Sequence, residues 1–447
     1  MSHIFNGKQV LVCGMAKSGQ SAAKLLVEMG AHVTVQDMKH EKEIDWAYDP
    51  KSASIKTYLG QNPDDIVGNF DLIIISPGIT VYAPFVKKAQ TLGIPVWGEA
   101  ELAYRLCPCP MVAITGTNGK TTVTTLVGEI LKLHNPGTVV GGNIGIPLTE
   151  LVTTLTSSNI VVAEISSFQL ETIAAFKPKI SAVLNMTEDH LDRHHTMENY
   201  ITMKSRIFEN QSQNDICVLN YDNFITREMK PPGKVIYFSV KEQLATGVYL
   251  RDGIICAKIS ADEPELNVIE ISGLKIMTEN ALAATALSLC AGASIDAIAK
   301  GLMAFCGVVH RMEYVATIDG VEYYNDSKAT NTDAAIKAIE SISSPIILIG
   351  GGYDKKTNFT PWVKYFDEKV KNLIVFGETA QKIIDTCNVL GFTKYEIANS
   401  LQEAVTLAKE KAKPGYKVLF SPACASFDMF KNFEERGEMF KHYVRTP

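Results

Sequence analysis

Residues Thr115-Gly116-Thr117-Asn118-Gly119-Lys120-Thr121-Thr122 constrain this chain more than any other stretch. They lie between a short apolar run, Met111 to Ile114, and a helical pattern. In that pattern Val123, Leu126, Val127, Ile130 and Leu131 repeat at i, i+3, i+4, i+7 and i+8. A strand therefore runs into a glycine-rich turn that opens a helix. Backbone N–H groups at such a start face an anion, and the helix dipole favours one. Lys120 adds a mobile positive charge, and the Thr121 hydroxyl can join a Mg²⁺ shell. The stretch reads as a phosphate cradle and makes ATP chemistry the leading expectation. Ile114 stands where the usual G-x-x-x-x-G-K-[ST] loop has its first glycine. The plain alternative is a glycine turn before an ordinary helix.

The chain has 447 residues, room for about two to four domains. No apolar run approaches the ~18 residues of a membrane helix, and the opening Met1 to Lys8 lacks a signal-peptide layout. No membrane contact is expected. A net charge of −6 argues against a general grip on nucleic acid. The nine cysteines are scattered among apolar neighbours, which suits reduced thiols and a cytoplasmic location. Cys107 and Cys109 have no second pair, so Cys107-Pro108-Cys109-Pro110 reads as a linker.

Three stretches organise the rest. The first opens with a buried strand, Val10 to Cys13, then a turn, Gly14-Met15-Ala16-Lys17-Ser18-Gly19, then a helix ending near Gly30. A second strand, His32 to Gln36, ends at Asp37, and another, Leu72 to Ile75, runs into Ser76-Pro77-Gly78. This is the start of a Rossmann-type unit, though Ala16 replaces the middle glycine of the dinucleotide fingerprint. After the linker comes the phosphate loop. Strands Ile160 to Ala163 and Ser181 to Leu184 then end at Glu164 and Asn185, on the same rim as the loop if the sheet is parallel. One helix of roughly twenty residues is expected from Thr278 to Lys300. The last stretch begins near Arg311. Asp319-Gly320 joins two alternating runs, a hairpin signal, and strands at Ile346 to Ile349, Leu373 to Phe376 and Val418 to Phe420 alternate with helices.

Four constellations carry chemistry. Glu164, at a strand end, can hold Mg²⁺ against phosphates; otherwise it is an exposed strand-end acid. Thr187 to His195 packs acids and histidines together. His190 and His194 are i, i+4, but Leu191 occupies the glutamate position of a zinc-protease helix. A polar rim near the nucleotide and a structural loop both remain open there. Asp326-Ser327-Lys328-Ala329-Thr330-Asn331 offers a carboxylate, an ammonium and hydroxyls, which suits a zwitterion carrying extra carboxylates, although such residues also cap helices. Ser421 to Asp428 follows the last strand, and Cys424 has no histidine partner by spacing.

Together these strings resemble the Mur ligases of peptidoglycan synthesis, over essentially the whole chain. The Thr-Gly-Thr-Asn-Gly-Lys-Thr loop is shared across that superfamily. The narrower markers are Glu164-Ile165-Ser166-Ser167-Phe168-Gln169-Leu170, Thr187-Glu188-Asp189-His190, the Asp326 to Asn331 string and Ser421-Pro422-Ala423-Cys424-Ala425-Ser426. The resemblance implies an α/β fold of three domains. These are a Rossmann-like domain for a UDP-linked substrate (1–106), a P-loop ATPase-type central domain (107–308) and a Rossmann-like amino-acid-binding domain (309–447). It also implies a cytoplasmic monomer that uses ATP and Mg²⁺, with two metal sites. The implied reaction phosphorylates the carboxylate of UDP-N-acetylmuramoyl-L-alanine, and the amine of D-glutamate then displaces phosphate.

By motif match, Gly116, Thr117, Asn118, Gly119, Lys120, Thr121, Thr122, Asn280, Arg311 and Asp326 would hold ATP. Lys120 would neutralise the γ-phosphate; Thr121 and Glu164 would hold one metal, and His190 and Lys204 a second. Lys204 matches a lysine carbamylated in the family, its bland alternative being a surface lysine. Lys17, Ser18, Asp37, Lys39, Ser76 and Asn143, with Ala16 and Met38 beside them, would meet the UDP-sugar. Lys328, Thr330, Lys355, Ser426 and Phe433 match the D-glutamate pocket. One departure stands out. Where the family often has His-Asn-x-x-Asn, the run here is Ile276-Met277-Thr278-Glu279-Asn280, and only the last asparagine remains. Ligands drawn from three domains also imply that the third swings about Gly307 to Arg311. The rival readings are a folate polyglutamylating ligase, a nucleotide-regulated binding protein and an NAD-dependent oxidoreductase.

Overall fold

The computed structural model describes residues 4–50, 54–366 and 369–446. Met1, Ser2 and His3 of the N-terminal reading lie outside the described residues. Two compact units separate: Met1–Met186 with Glu198–Phe305, and Thr187–Met197 with Cys306–Pro447.

The first unit holds two sheets. One is wholly parallel, with strands β1 (Gln9–Cys13), β2 (His32–Asp37), β3 (Lys56–Leu59), β4 (Leu72–Ile75) and β5 (Val96–Gly98) in the order β3-β2-β1-β4-β5. Every residue of β4, Leu-Ile-Ile-Ile, is buried, as a strand covered on both faces requires.

The other sheet comprises β6 (Met111–Thr115), β7 (Thr138–Gly142), β8 (Ile160–Glu164), β9 (Ile180–Val183), β10 (Ile216–Asn220), β11 (Lys234–Ser239), β12 (Gly247–Arg251), β13 (Ile254–Lys258) and β14 (Leu266–Glu270). Their order is β14-β13-β12-β11-β10-β9-β6-β8-β7. From β7 through β12 the pairing is parallel, while β13 and β14 are antiparallel additions. Asp252 and Gly253 turn β12 into β13 with φ of 49° and 78°, the left-handed pair that a tight hairpin needs.

The expected long helix is two. Thr278–Cys290 ends before Gly292, whose φ is +92°, and Ile295–Ala304 starts afresh with Ser294 accepting from the Ala297 N–H. The left-handed glycine and the serine cap break a run whose apolar spacing reads as continuous.

In the second unit one sheet contains β15 (Glu313–Ile318), β16 (Val321–Asn325), β17 (Ile346–Gly351), β18 (Val370–Phe376), β19 (Tyr395–Ile397) and β20 (Lys417–Phe420). The order is β15-β16-β20-β17-β18-β19, parallel apart from the β15–β16 hairpin. Along β17, Ile346 and Leu348 enter one core cluster and Ile347 and Ile349 the other. Helices thus cover both faces, and ligand-binding loops gather at the carboxyl ends of the strands.

Candidate active site

In the first unit β6 delivers the chain into the glycine loop, and the helix Lys120–His134 carries it away. Gly116 and Gly119 have φ of +145° and +82°. A Cβ on Gly119 would come within 2.5 Å of Asn280 Oδ1, so this glycine is required both by its backbone and by its neighbour. Asn280 therefore packs against the loop. Asn185, at the end of β9, pins the loop from the other side. Its Oδ1 accepts from Asn118 N at 2.8 Å, its Nδ2 donates to Asn118 O at 3.1 Å, and Thr117 N donates to its carbonyl at 3.0 Å. Lys120 Nζ folds back to donate to the carbonyls of Gly116 (3.0 Å) and Thr117 (2.7 Å).

Glu164 is not an exposed strand-end acid. It is buried, accepting from Thr121 Oγ1 at 2.7 Å and from Asn143 Nδ2 at 2.8 Å. A hydroxyl and a carboxylate side by side at a phosphate cradle fit Mg²⁺, which takes one or two protein oxygens and completes its shell with phosphate and water. Lys204 is likewise no surface lysine. It is 2% exposed, its ammonium donates to Gly116 O at 2.8 Å, and it lies 4.9 Å from the centre of the Tyr200 ring. Tyr200 OH reaches Thr117 Oγ1 at 3.3 Å. Sequence reasoning passed over Tyr200; its spacing four residues before Lys204 on one helix was the available signal.

The residues matched to the UDP-sugar fall into two places in this unit. Asp37 accepts from the N–H groups of Met15 (2.7 Å) and Lys39 (2.9 Å), and Ser76 Oγ donates to Gly14 O at 2.7 Å. Gly14 has φ of +87°, and a Cβ there would meet Ser76 at 2.9 Å. Lys17 and Ser18 start the helix Lys17–Glu28 beside this turn, and Lys17 and Lys39 are exposed. Asn143 instead stands with Glu164 at the phosphate loop. The two sheets are clasped by buried acids. Glu99 accepts from the N–H (2.6 Å) and hydroxyl (2.9 Å) of Thr149, and Glu101 accepts from the N–H groups of Ala174, Ala175 and Phe176. Burial pushes the Glu99 carboxyl above its ordinary range.

In the second unit Lys355 Nζ meets Asp189 Oδ1 at 2.6 Å, with both side chains nearly buried. Burial works against the charged Asp189, but Lys355, then His190 and Asn331, hold its carboxyl well below the usual range. Asn331 Nδ2 donates to Asp189 at 3.1 Å while its Oδ1 caps the helix Thr332–Glu340. Thr187, Asp189, His190, Asn331, Lys355 and Thr357 line part of a cavity of about 290 Å³. His190 has a left-handed backbone, φ +53°, and its N–H donates to Asp189.

The remaining residues matched to the amino acid come from the loops after β16 and β20 and, for Phe433, from the start of the helix Phe433–Arg445. Lys328 Nζ lies 4.2 Å from the centre of the Phe433 ring, and Thr330 N donates to Lys328 O at 3.0 Å. Ser426 is buried, and its neighbour Ala425 bridges to Tyr353 on the Lys355 loop. Asp326 is fully buried 3.7 Å from Arg311 and accepts from Ser421 Oγ at 2.8 Å. Burial raises its carboxyl to about 6 despite that guanidinium.

One residue here escaped sequence reading altogether. Arg436, wholly buried in the helix Phe433–Arg445, donates to Ser327 Oγ (3.1 Å) and O (2.8 Å), Ala425 O (2.9 Å) and Cys424 O (3.0 Å). It ties the Asp326–Asn331 loop to the Ser421–Asp428 loop. Burial lowers the guanidinium to about 10. A helical arginine flanked by glutamates reads as a solvated face, which hid it. Cys424 is buried against Thr379 Oγ1, and burial pushes its thiol up to about 12.

Residues 8–98 match the description "Mur ligase MurD-like, N-terminal domain", 114–288 "Mur ligase middle domain" and 310–424 "Mur ligase, glutamate ligase domain". A protein of Caldanaerobacter subterraneus subsp. tengcongensis named UDP-N-acetylmuramoylalanine–D-glutamate ligase is 45% identical, and the alignment covers 98% of both chains. The chain belongs to the Mur ligase family. A namesake from Alkaliphilus metalliredigens is 46% identical to this ligase, again over 98% of each chain. Among solved structures, UDP-N-acetylmuramate-alanine ligase from Thermotoga maritima shares its fold with a TM-score of 0.61 at 18% identity, covering 97% of this chain and 98% of that one. A second ligase from Thermotoga maritima, described in complex with ADP, has a TM-score of 0.58 at 16% identity, covering 99% and 96%. These likenesses carry the three-domain α/β architecture expected from the motifs.

Proposed function

We propose that this Mur ligase joins D-glutamate to UDP-N-acetylmuramoyl-L-alanine, consuming ATP and releasing ADP and phosphate, as a cytoplasmic monomer. The observation that carries this reading is the cluster at the mouth of the glycine loop in which buried Glu164 accepts from Thr121 and from the more exposed Asn143. It combines a hydroxyl–carboxylate pair suited to Mg²⁺ with a residue matched to the UDP-substrate set, at the place where a γ-phosphate would meet a carboxylate. The full-length identity with curated D-glutamate ligases supports the choice of amino acid.

A carboxylate is a poor electrophile until one oxygen becomes a leaving group, and phosphorylation supplies that. The step needs alignment and charge neutralisation more than covalent help. Loop N–H groups and Lys120 would receive the phosphates of ATP. Thr121 and Glu164 would hold Mg²⁺, with His190 and Lys204 serving a second site; bound there, the metal neutralises charge on the transferring phosphoryl group. Carbamylation of Lys204 would replace its cation with an anion suited to that role. Asn280, Arg311 and Asp326 would hold the nucleotide. Lys17, Ser18, Asp37, Lys39, Ser76 and Asn143 would hold the UDP-sugar. In the second unit, Lys328, Thr330, Lys355, Ser426 and Phe433 would seat D-glutamate, with its carboxylate taking the Lys355 ammonium from Asp189.

The test is isotopic. With heavy oxygen in the carboxylate of UDP-N-acetylmuramoyl-L-alanine, one labelled oxygen should appear in the released phosphate and amide product should accumulate with D-glutamate. Product without label in phosphate would rule out the acyl phosphate. No product with D-glutamate would rule out the substrate choice.

A further inference from the structure

We propose that Cys107 and Cys109 form a thiol–disulfide site, which closes to an intramolecular disulfide in oxidising glutathione and reopens under reduction. Their sulfurs lie 3.6 Å apart, and Cys107 Sγ also donates to the Cys109 carbonyl at 3.4 Å. Both residues are half-buried, whereas Cys13, Cys217, Cys256, Cys387 and Cys424 are buried. A small disulfide can therefore reach the pair. Pro108 stands between them and fixes one backbone torsion, so less chain freedom is lost when the ring closes. Bonding requires the sulfurs to approach to about 2.05 Å, a contraction that side-chain rotation can supply.

The segment joins the helix Glu99–Leu106 to β6, and β6 leads directly into the glycine loop. Cys107 N is bonded to Tyr104 O, and Pro110 O accepts from Val161 N on β8, so both ends are anchored. The dithiol is separate from every residue proposed for the ligase reaction.

The exchange balances as follows. The Cys107 thiolate attacks one sulfur of oxidised glutathione, whose S–S bond breaks and releases one glutathione thiolate. Cys109 gives its proton to solvent and attacks Cys107 Sγ, expelling the second glutathione thiolate. Two protein thiols are oxidised, and one glutathione disulfide is reduced to two thiols. Burial, with the nearby Cys107 sulfur, pushes the Cys109 thiol up to about 12, so Cys107 is the attacking sulfur. The Cys107 contribution disappears once that sulfur carries glutathione, while the larger effect of burial remains; the short distance between the two sulfurs favours Cys109 as the resolving thiol.

The tryptic peptide Leu106 to Lys120 carries these two cysteines and no other. The full-length protein would be equilibrated across glutathione buffers of rising oxidised fraction, acid-quenched, alkylated, digested and weighed. As the buffer becomes oxidising the peptide should lose both alkyl groups and fall two hydrogens below the mass of the unmodified dithiol, and dithiothreitol before alkylation should restore the doubly alkylated form. C107S and C109S, checked for fold by circular dichroism, should each abolish that loss, while C306S should leave it intact. If C109S does not fold, C109A serves in its place. The proposal is overturned by alkylation of both cysteines at every ratio, by a stable glutathione adduct that never closes, or by a bond to any other cysteine.

Discussion

At the residue scale, the loop lysine and the buried arginine do opposite work. Lys120 is held by two carbonyls of its own loop, contacts that a phosphate can outcompete because it offers the ammonium a full negative charge where a carbonyl offers only a dipole. K120A should therefore fold normally and lose about a hundredfold or more in kcat, the scale of a lost charge-stabilising donor. Steady-state phosphate release checks this, and a change under about threefold would contradict the role. Arg436 holds the carbonyls of buried residues. R436M should cost about 2–4 kcal/mol of stability through the unpaired buried acceptors. It should also raise KM for D-glutamate more than KM for ATP, because the loops it ties carry Ser426 and Lys328. Equal effects on both KM values would mean a purely structural residue.

At the element scale, turn chemistry and clasped acids set local stability. Asp319 and Gly320 join β15 to β16 with φ of 50° and 76°. A Cβ on Gly320 would also lie 3.2 Å from Pro414. G320A should destabilise the second unit by about 1 kcal/mol, seen as a lower midpoint in urea unfolding. Asp215, before β10, is buried, but the Ser212 hydroxyl and N–H, then Lys179 and Lys177, hold its carboxyl down at about 2. A lowered carboxylate stabilises the fold above its ordinary range, and that contribution fades as pH falls through the folded value. D215N should thus melt earlier than the parent at neutral pH, and the gap should narrow as pH falls from about 4 through about 2. A gap undiminished at pH 2 would contradict the assignment.

The same scale shows what could be read from residues alone. Strand, glycine loop and helix at 111–134 were legible because apolar period and turn residues agree there. So was the Asp-Gly hairpin at 319–320, and the identical signal at Asp252-Gly253 was available but passed over. The break at Gly292 was not legible, since an isolated glycine is tolerated within a helix and only its left-handed backbone ends this one. Glu164, Lys204 and Arg436 are each charged, and charge alone reads as exposure. Their burial follows from partners distant in sequence, Thr121, Gly116 and Ser327, which no local pattern displays.

At the scale of the whole molecule, the glycine loop belongs to the first compact unit and the Lys355–Asp189 pair to the second. ATP with Mg²⁺ should raise the melting temperature of the parent. At a hundredfold excess over Kd the stabilisation should be about 2.7 kcal/mol, and K120A should lose most of it. Among the described residues no helix is long and apolar enough to cross a membrane. The central claim is that the glycine loop serves amide ligation with D-glutamate. Its most direct test is phosphate release from ATP and Mg²⁺, with UDP-N-acetylmuramoyl-L-alanine present or absent and with D-glutamate, L-glutamate or L-lysine added in turn. Release that requires both the UDP-sugar and D-glutamate is the predicted result; release without either, or with another amino acid in its place, would contradict the account.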